Sequence, residues 1–178
     1  MPIEINTKVS LGPTHGKKIG NLILEDAKFW GRPNFRGETD QFNDNRRKFT
    51  VLIPNDVADE LRKVGWNVKT EIPTKEQEAN GWQMLSHLRV MVDEPNLEKG
   101  TGSEVWIKQG DIDERILTET LPVVDRSRFE QIDMEIRAWE YDPENQPGKY
   151  NARLEKFIGV LTPNRLDQKW GRLGASGG

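Results

Sequence analysis

The sequence predicts a mainly β protein, a barrel of five to six strands with one short helix and long loops. Three observations carry this. Several segments alternate apolar and polar residues with period two, only one stretch has helical spacing, and Gly, Pro and Asn cluster between them. At 178 residues the chain fits one domain able to bury a core without staples.

The elements follow in order. Residues 1–17 read as a polar lead-in, and Lys18 to Phe29 as strand-like. Lys48 to Ile53 is a clear strand, with Phe49, Val51 and Ile53 on one face, stopped by Pro54. Asn55 is placed to cap a short helix whose Val57, Leu61 and Val64 share a face, with Gly65 past its end. Residues 66–83, with Trp66 and Trp82, read as irregular.

Leu85 to Asp93 forms the next strand, with Leu88, Val90 and Val92 inward and Arg89 and Met91 outward. Glu94 to Ser103 reads as a flexible hairpin connection to Glu104–Gln109, where Val105 and Ile107 point in and Trp106 and Lys108 out. Residues 110–129 give no clear pattern. In Gln131 to Tyr141, Ile132, Met134, Ile136 and Ala138 oppose Asp133, Glu135, Arg137, Trp139 and Tyr141. The last strand runs from Ala152 to Leu161. These assignments divide the chain into a lead-in (1–17), a barrel domain (18–162) and a flexible tail (163–178) ending GASGG, with no internal repeat. A two-sheet sandwich is the structural alternative.

Composition narrows the chemistry. There is no cysteine, and the two histidines, His15 and His87, are far apart, so thiolate chemistry and a His-based metal site are not expected. No stretch resembles a signal peptide or a membrane span, and a reducing, cytoplasmic address is expected. Net charge is −3, but unevenly spread: residues 1–50 carry nine Lys/Arg against six Asp/Glu, and residues 101–150 six against twelve. Because salt screens distant charges, an acidic chain can still present a basic surface.

GPTHGKK at 12–18 imitates a phosphate loop. It has three residues between its glycines where four are needed, and Lys18 stands where a hydroxyl should bind magnesium. Asp133 and Glu135 share a strand face, and a solvated acidic face is the plainer reading than a cation site. No catalytic constellation emerges, and neither enzymatic activity nor a cofactor is expected.

The most informative stretch is KFWGRPNFRGETDQFNDNRRKF, residues 28–49. Its aromatics Phe29, Trp30, Phe35, Phe42 and Phe49 alternate with Lys28, Arg32, Arg36, Arg46, Arg47 and Lys48, in a segment that Gly31, Pro33, Gly37 and the run 40–45 make largely a loop. Flat rings among cations suit a flat, anionic ligand, single-stranded nucleic acid, whose bases stack and whose phosphates pair with Arg and Lys. Phe29 and Phe49 also fit the cores of flanking strands. Arg89, Trp106 with Lys108, and Arg137 with Trp139 and Tyr141 repeat the pattern on outward strand positions. Each alone could be cross-strand packing; three strands alike point to a binding face. Trp30, Phe35, Trp106, Trp139 and Tyr141 are the stacking candidates; Arg32, Arg36, Arg46, Arg47, Lys48, Arg89, Lys108 and Arg137, with Lys28, are the cationic ones. The five-stranded oligonucleotide-binding barrel (OB-fold) suits such a ligand.

FWGRPNFRG, DQFN and RRKFTVLIPNDVADELRKVGWNVK (within residues 29–69), followed by LRVMVD and EVWIKQG, resemble the single-stranded DNA-binding proteins of tailed bacteriophages over most of residues 18–162. The resemblance implies an OB-fold that coats and protects single-stranded DNA during replication, recombination or repair, without chemistry, with replication or recombination proteins as further partners. Many of those proteins end in an acidic tail that recruits partners; this chain ends LDQKWGRLGASGG, a departure from that pattern. The alternative function is a phage structural or assembly module whose aromatic loop docks protein. Oligomeric state, cooperativity and the choice between DNA and RNA stay open at this point.

Overall fold

The computed structural model describes residues 3–14, 19–37 and 46–163. Phe42, the 40–45 run, residues 15–18 of the GPTHGKK segment and the tail from 164 lie outside the described residues. The strands are β1 (Lys8–Leu11), β2 (Leu22–Glu25), β3 (Lys48–Ile53), β4 (Lys69–Glu71), β5 (Leu85–Met91), β6 (Glu104–Gln109), β7 (Ile112–Ile116), β8 (Phe129–Glu140) and β9 (Tyr150–Leu161). The helices are α1 (Asn55–Val64), α2 (Lys75–Ala79) and α3 (Pro122–Arg126), and a 3-10 turn covers Thr118–Thr120.

One curled sheet runs β1-β2-β8-β9-β5-β3. The chain after β2 closes the ring. Ala27 N–H donates to the Ile132 carbonyl of β8, and residues 28–34 then run along the free edge of β3: Leu52 N–H donates to the Lys28 carbonyl, Trp30 N–H to that of Thr50, and Asn34 N–H to that of Lys48. The ring is therefore β2 with this continuation, β3, β5, β9 and β8, a five-membered barrel of the expected OB-like class. β1, β4 and the β6–β7 hairpin are additions to it.

Inside, the alternation works as read. Phe49, Val51 and Ile53 of β3, Leu88 and Val90 of β5, Ile132, Met134 and Ile136 of β8, and Phe157 of β9 are all buried in one cluster. Gly159 lets Phe129 lie against β9, since a Cβ there would stand 2.5 Å from the Phe129 ring.

Several local expectations need correction. Lys18–Phe29 is not one strand: Asp26 takes a positive φ of 57° and kinks the chain between β2 and the β3 edge. The supposed lead-in contains β1, a short edge strand in which Val9 and Leu11 alternate with Lys8 and Ser10 and Val9 packs against the core. Asn55 does not cap α1, whose N-cap is Pro54. Its amide instead donates to the Met84 carbonyl (2.9 Å) and accepts from the Ser86 hydroxyl (2.7 Å), tying α1 to β5. Ala58 and Leu61 are the buried helix positions, while Val64 is exposed.

The irregular 66–83 stretch holds β4 and α2, the latter started by a capping box between Thr74 and Gln77. Trp66 in it is a core residue, 2 % exposed. Residues 94–103 do not join a hairpin. β5 and β6 both lie parallel to β9, one after the other along the same edge, with the Ser103 hydroxyl donating to the Leu154 carbonyl at 2.6 Å between them. Residues 110–129 form β7, the 3-10 turn and α3, and among the described residues no helix is long and apolar enough to cross a membrane.

Candidate nucleic-acid interface

The outer face of β3, β5, β9 and β8 gathers much of the expected set. Cross-strand partners share a face. Lys48 pairs with Met91, Met91 with Arg153, and Arg153 with Arg137, so one row crosses four strands. Beside it, Thr50 pairs with Arg89 and Asn151 with Trp139. Val90 and Ala152, partners and both buried, put their neighbours Arg89 and Asn151 outward on that same side.

Two tryptophans stand on this face. Trp30, 38 % exposed, is carried there by its backbone bond to Thr50, and its ring lies 4.2 Å from that of His87. Trp139, 42 % exposed, has the Arg153 guanidinium 4.6 Å from its ring centre. Beside Trp30 opens a concavity of about 280 Å³, lined also by Arg46, Arg89, Lys69 and Asn151, the cross-strand partner of Trp139. Tyr141, beyond Trp139, borders a second hollow of about 160 Å³ with Arg62 and Lys149, and its hydroxyl donates to Gln146.

Carboxylates orient part of the basic row. Asp93 accepts from Arg153 at 2.6 Å and from Arg137 at 3.4 Å; Glu155 also approaches Arg137, at 3.4 Å, and Glu94 holds Arg47 at 2.6 Å. These groups are partly exposed, so the pairs position side chains more than they stabilise the fold.

Other expected residues lie elsewhere. Phe35 is not available for stacking. It is fully buried, its ring 5.3 Å from Phe49 and 5.5 Å from Phe157, because the Asn34–Lys48 bridge turns it into the barrel. Phe49 is likewise buried, and Phe29, partly buried, packs against the same cluster. Arg32 and Arg36 are exposed on the loop that follows Trp30, and Lys28 donates to the Glu4 carbonyl. Trp106 and Lys108 face outward as expected, but opposite Ile158 and Val160. That is about 16 Å along β9 from Arg153 at the usual rise per residue. A register shift at Glu135/Ile136 intervenes, and the surroundings are of mixed charge, with Glu104 facing both Arg115 and Lys156. Glu104 accepts from the Trp106 indole at 2.7 Å, and Arg115 lies over the ring.

The sequence reading missed Arg153, His87, Lys69 and Asn151. The first and last were within reach, since alternation with buried Ala152 and Leu154 puts both outward. His87 was within reach too, since it alternates with buried Leu88 on the same side of β5 as Arg89, whereas Lys69 joins the site only through the pairing of β4 with β5.

The segment that follows Trp30, residues 31–37, is anchored by α3. Asp125 of α3 accepts the N–H groups of Phe35 (2.7 Å) and Arg36 (3.0 Å), one on each carboxylate oxygen. Burial raises its pKa above the usual carboxylate value, against the lowering effect of those two bonds and of Arg36 and Arg126. Asp125→Asn would turn an amide NH2 toward one of the two N–H donors. We expect a loss of about 1–3 kcal/mol, the cost of an unsatisfied, partly buried donor, read as an earlier denaturation midpoint. An unchanged midpoint would show that these two bonds do not anchor the loop.

A barrel presenting aromatics and cations on an open outer face defines a binder of single-stranded nucleic acid. The family model described as "Putative phage ssDNA-binding domain" matches residues 13–173, and the chain belongs to that family of phage single-stranded DNA-binding proteins. Among solved structures it is similar to the single-stranded DNA-binding protein of bacteriophage Enc34 in a C-terminally truncated form (14% identity, 88% of this chain and 97% of that one, TM-score 0.46). It is similar also to the same protein in complex with ssDNA (12% identity, 88% and 97%, TM-score 0.46). No curated protein matches.

Proposed function

We propose that the protein binds and protects single-stranded DNA without chemistry and with tolerance of sequence, in the host cytoplasm, during phage replication, recombination or repair. The strand lies across the outer face of β3, β5, β9 and β8. Trp30, Trp139 and Tyr141 stack on bases, and Arg46, Lys48, Arg89, Arg137 and Arg153 meet phosphates, with Arg32 and Arg36 on the adjoining loop. The supporting observation is the shared face: two exposed tryptophans and a row of cations brought together from four strands. The binding unit is residues 18–162, with β1 as an added edge strand. Trp106 and Lys108 form an outlying contact at most, because Glu104 occupies the indole N–H.

Titration with oligo-dT tests this. Stacking should quench tryptophan fluorescence, single strands should win over duplex of equal length, and log K should fall linearly with log salt by about 0.7 per phosphate neutralised. Salt-independent binding, or equal affinity for duplex, would remove the phosphate-and-stacking interface.

A further inference from the structure

Trp30 rests on one other ring, the imidazole of His87, tilted from it by 31°. His87 is 9 % exposed, and its Nε2–H donates to Glu71 Oε1 at 3.2 Å, since a carboxylate can only accept. No partner for Nδ1 stands among the described residues. The imidazole is therefore fixed at one nitrogen, stacked against an exposed indole, and free to take a second proton at the other. The charges around it are mostly positive. β4 faces it with Lys69, its cross-strand partner, and with Glu71. β5 adds Arg89, two residues along on the same side, and β3 the uncharged Leu52, its other partner. Arg46 joins the lining of the hollow that Trp30 and His87 share.

We infer that His87 is the positioning residue for Trp30 and that it takes up a proton from solvent when the strand binds. The inference rests on the interface proposed above. Among the side chains here, an imidazole is the one that changes charge near neutral pH. In the free protein Lys69, Arg89 and Arg46 oppose a positive charge on His87, and Glu71 favours it. A bound strand lays phosphates on those three cations and removes much of the opposition. His87 is already buried, so stacking a base on Trp30 adds little to the desolvation that disfavours the charged form. Binding therefore favours the imidazolium, and by reciprocity a proton on His87 favours binding. The charged ring also holds the indole more firmly, through a cation–π contact, while Glu71 keeps its place at Nε2. Affinity is then highest where His87 is charged and falls as pH rises.

The test titrates oligo-dT into the full chain at fixed salt from about pH 5.5 to about pH 8.5, a range in which an imidazole changes charge and thymine does not. Affinity should fall roughly fivefold across it, the size of one partly screened charge contact. His87→Gln keeps a donor for Glu71 and cannot titrate, so it should lose this dependence and bind about as the unaltered protein does at the alkaline end. His15 and the amino terminus titrate in both proteins and cancel in the comparison. The free protein gives a second readout that needs no change at His87. An imidazolium quenches an indole it touches, so tryptophan emission should drop as pH falls, and this drop should vanish in Trp30→Phe. Affinity that ignores pH, a dependence that survives His87→Gln, or emission that ignores pH overturns the inference. An unaltered protein that binds no oligo-dT at any pH is a different result: it overturns the proposed interface itself.

Discussion

Phe35→Ala should cost about 3–5 kcal/mol of folding stability, although Phe35 sits in a loop that reads as ligand-binding. Its ring is completely buried, parallel to Phe49 and edge-on to Phe29 and Phe157. Removing it opens a hole where four phenylalanines meet at the closure of the barrel. A typical domain has only about 5–15 kcal/mol in hand, so chemical denaturation should show a large fall in midpoint. The folded fraction should still bind oligo-dT, because Phe35 does not reach the outer face. A normal midpoint with lost binding would put Phe35 back among the stacking residues and undermine the ring closure described above.

That residue marks where the sequence stops being legible. Alternation is local, so the faces of β3, β5, β6 and β8 could be read directly, including the outward setting of Trp106 and Trp139. Loop composition carries no such period. The rings of residues 29–49 look alike until the Asn34–Lys48 bridge decides that Phe35 goes in, while the Trp30 backbone bond to Thr50 keeps that indole out. Strand partners are equally invisible: β5 and β6 look like a hairpin, yet each pairs with β9, some fifty residues later. Hence the sequence could not show that Trp106 lies far from Trp139, or that β4 brings Lys69 beside His87. The Thr74–Gln77 capping box is different. Thr-Lys-Glu-Gln is a readable helix start, and the polar surroundings of a five-residue helix hid it.

Trp139→Ala is expected to weaken oligo-dT binding about tenfold or more, from a stacking loss of roughly 1–3 kcal/mol, while the melting temperature barely moves. The ring is 42 % exposed, and its contacts on the face are Arg153 above it and its cross-strand partner Asn151. The barrel beneath is filled by Ile136, Ala152 and Leu154, so truncation leaves no internal cavity. Arg153 should matter in the same assay, because the guanidinium that steadies the indole also lies where a phosphate beside a stacked base would pass. Trp106→Ala is the internal comparison. It removes an equally outward indole from a strand of the same sheet, but one placed about 16 Å away along β9 and held by Glu104. Its effect on affinity should be several times smaller. If Trp106→Ala instead matches or exceeds Trp139→Ala, the DNA path crosses the β6 end of β9 rather than the β3–β5–β9–β8 face. Melting data then separate the remaining case, since a Trp139→Ala variant that binds normally yet unfolds early would make that ring a packing residue.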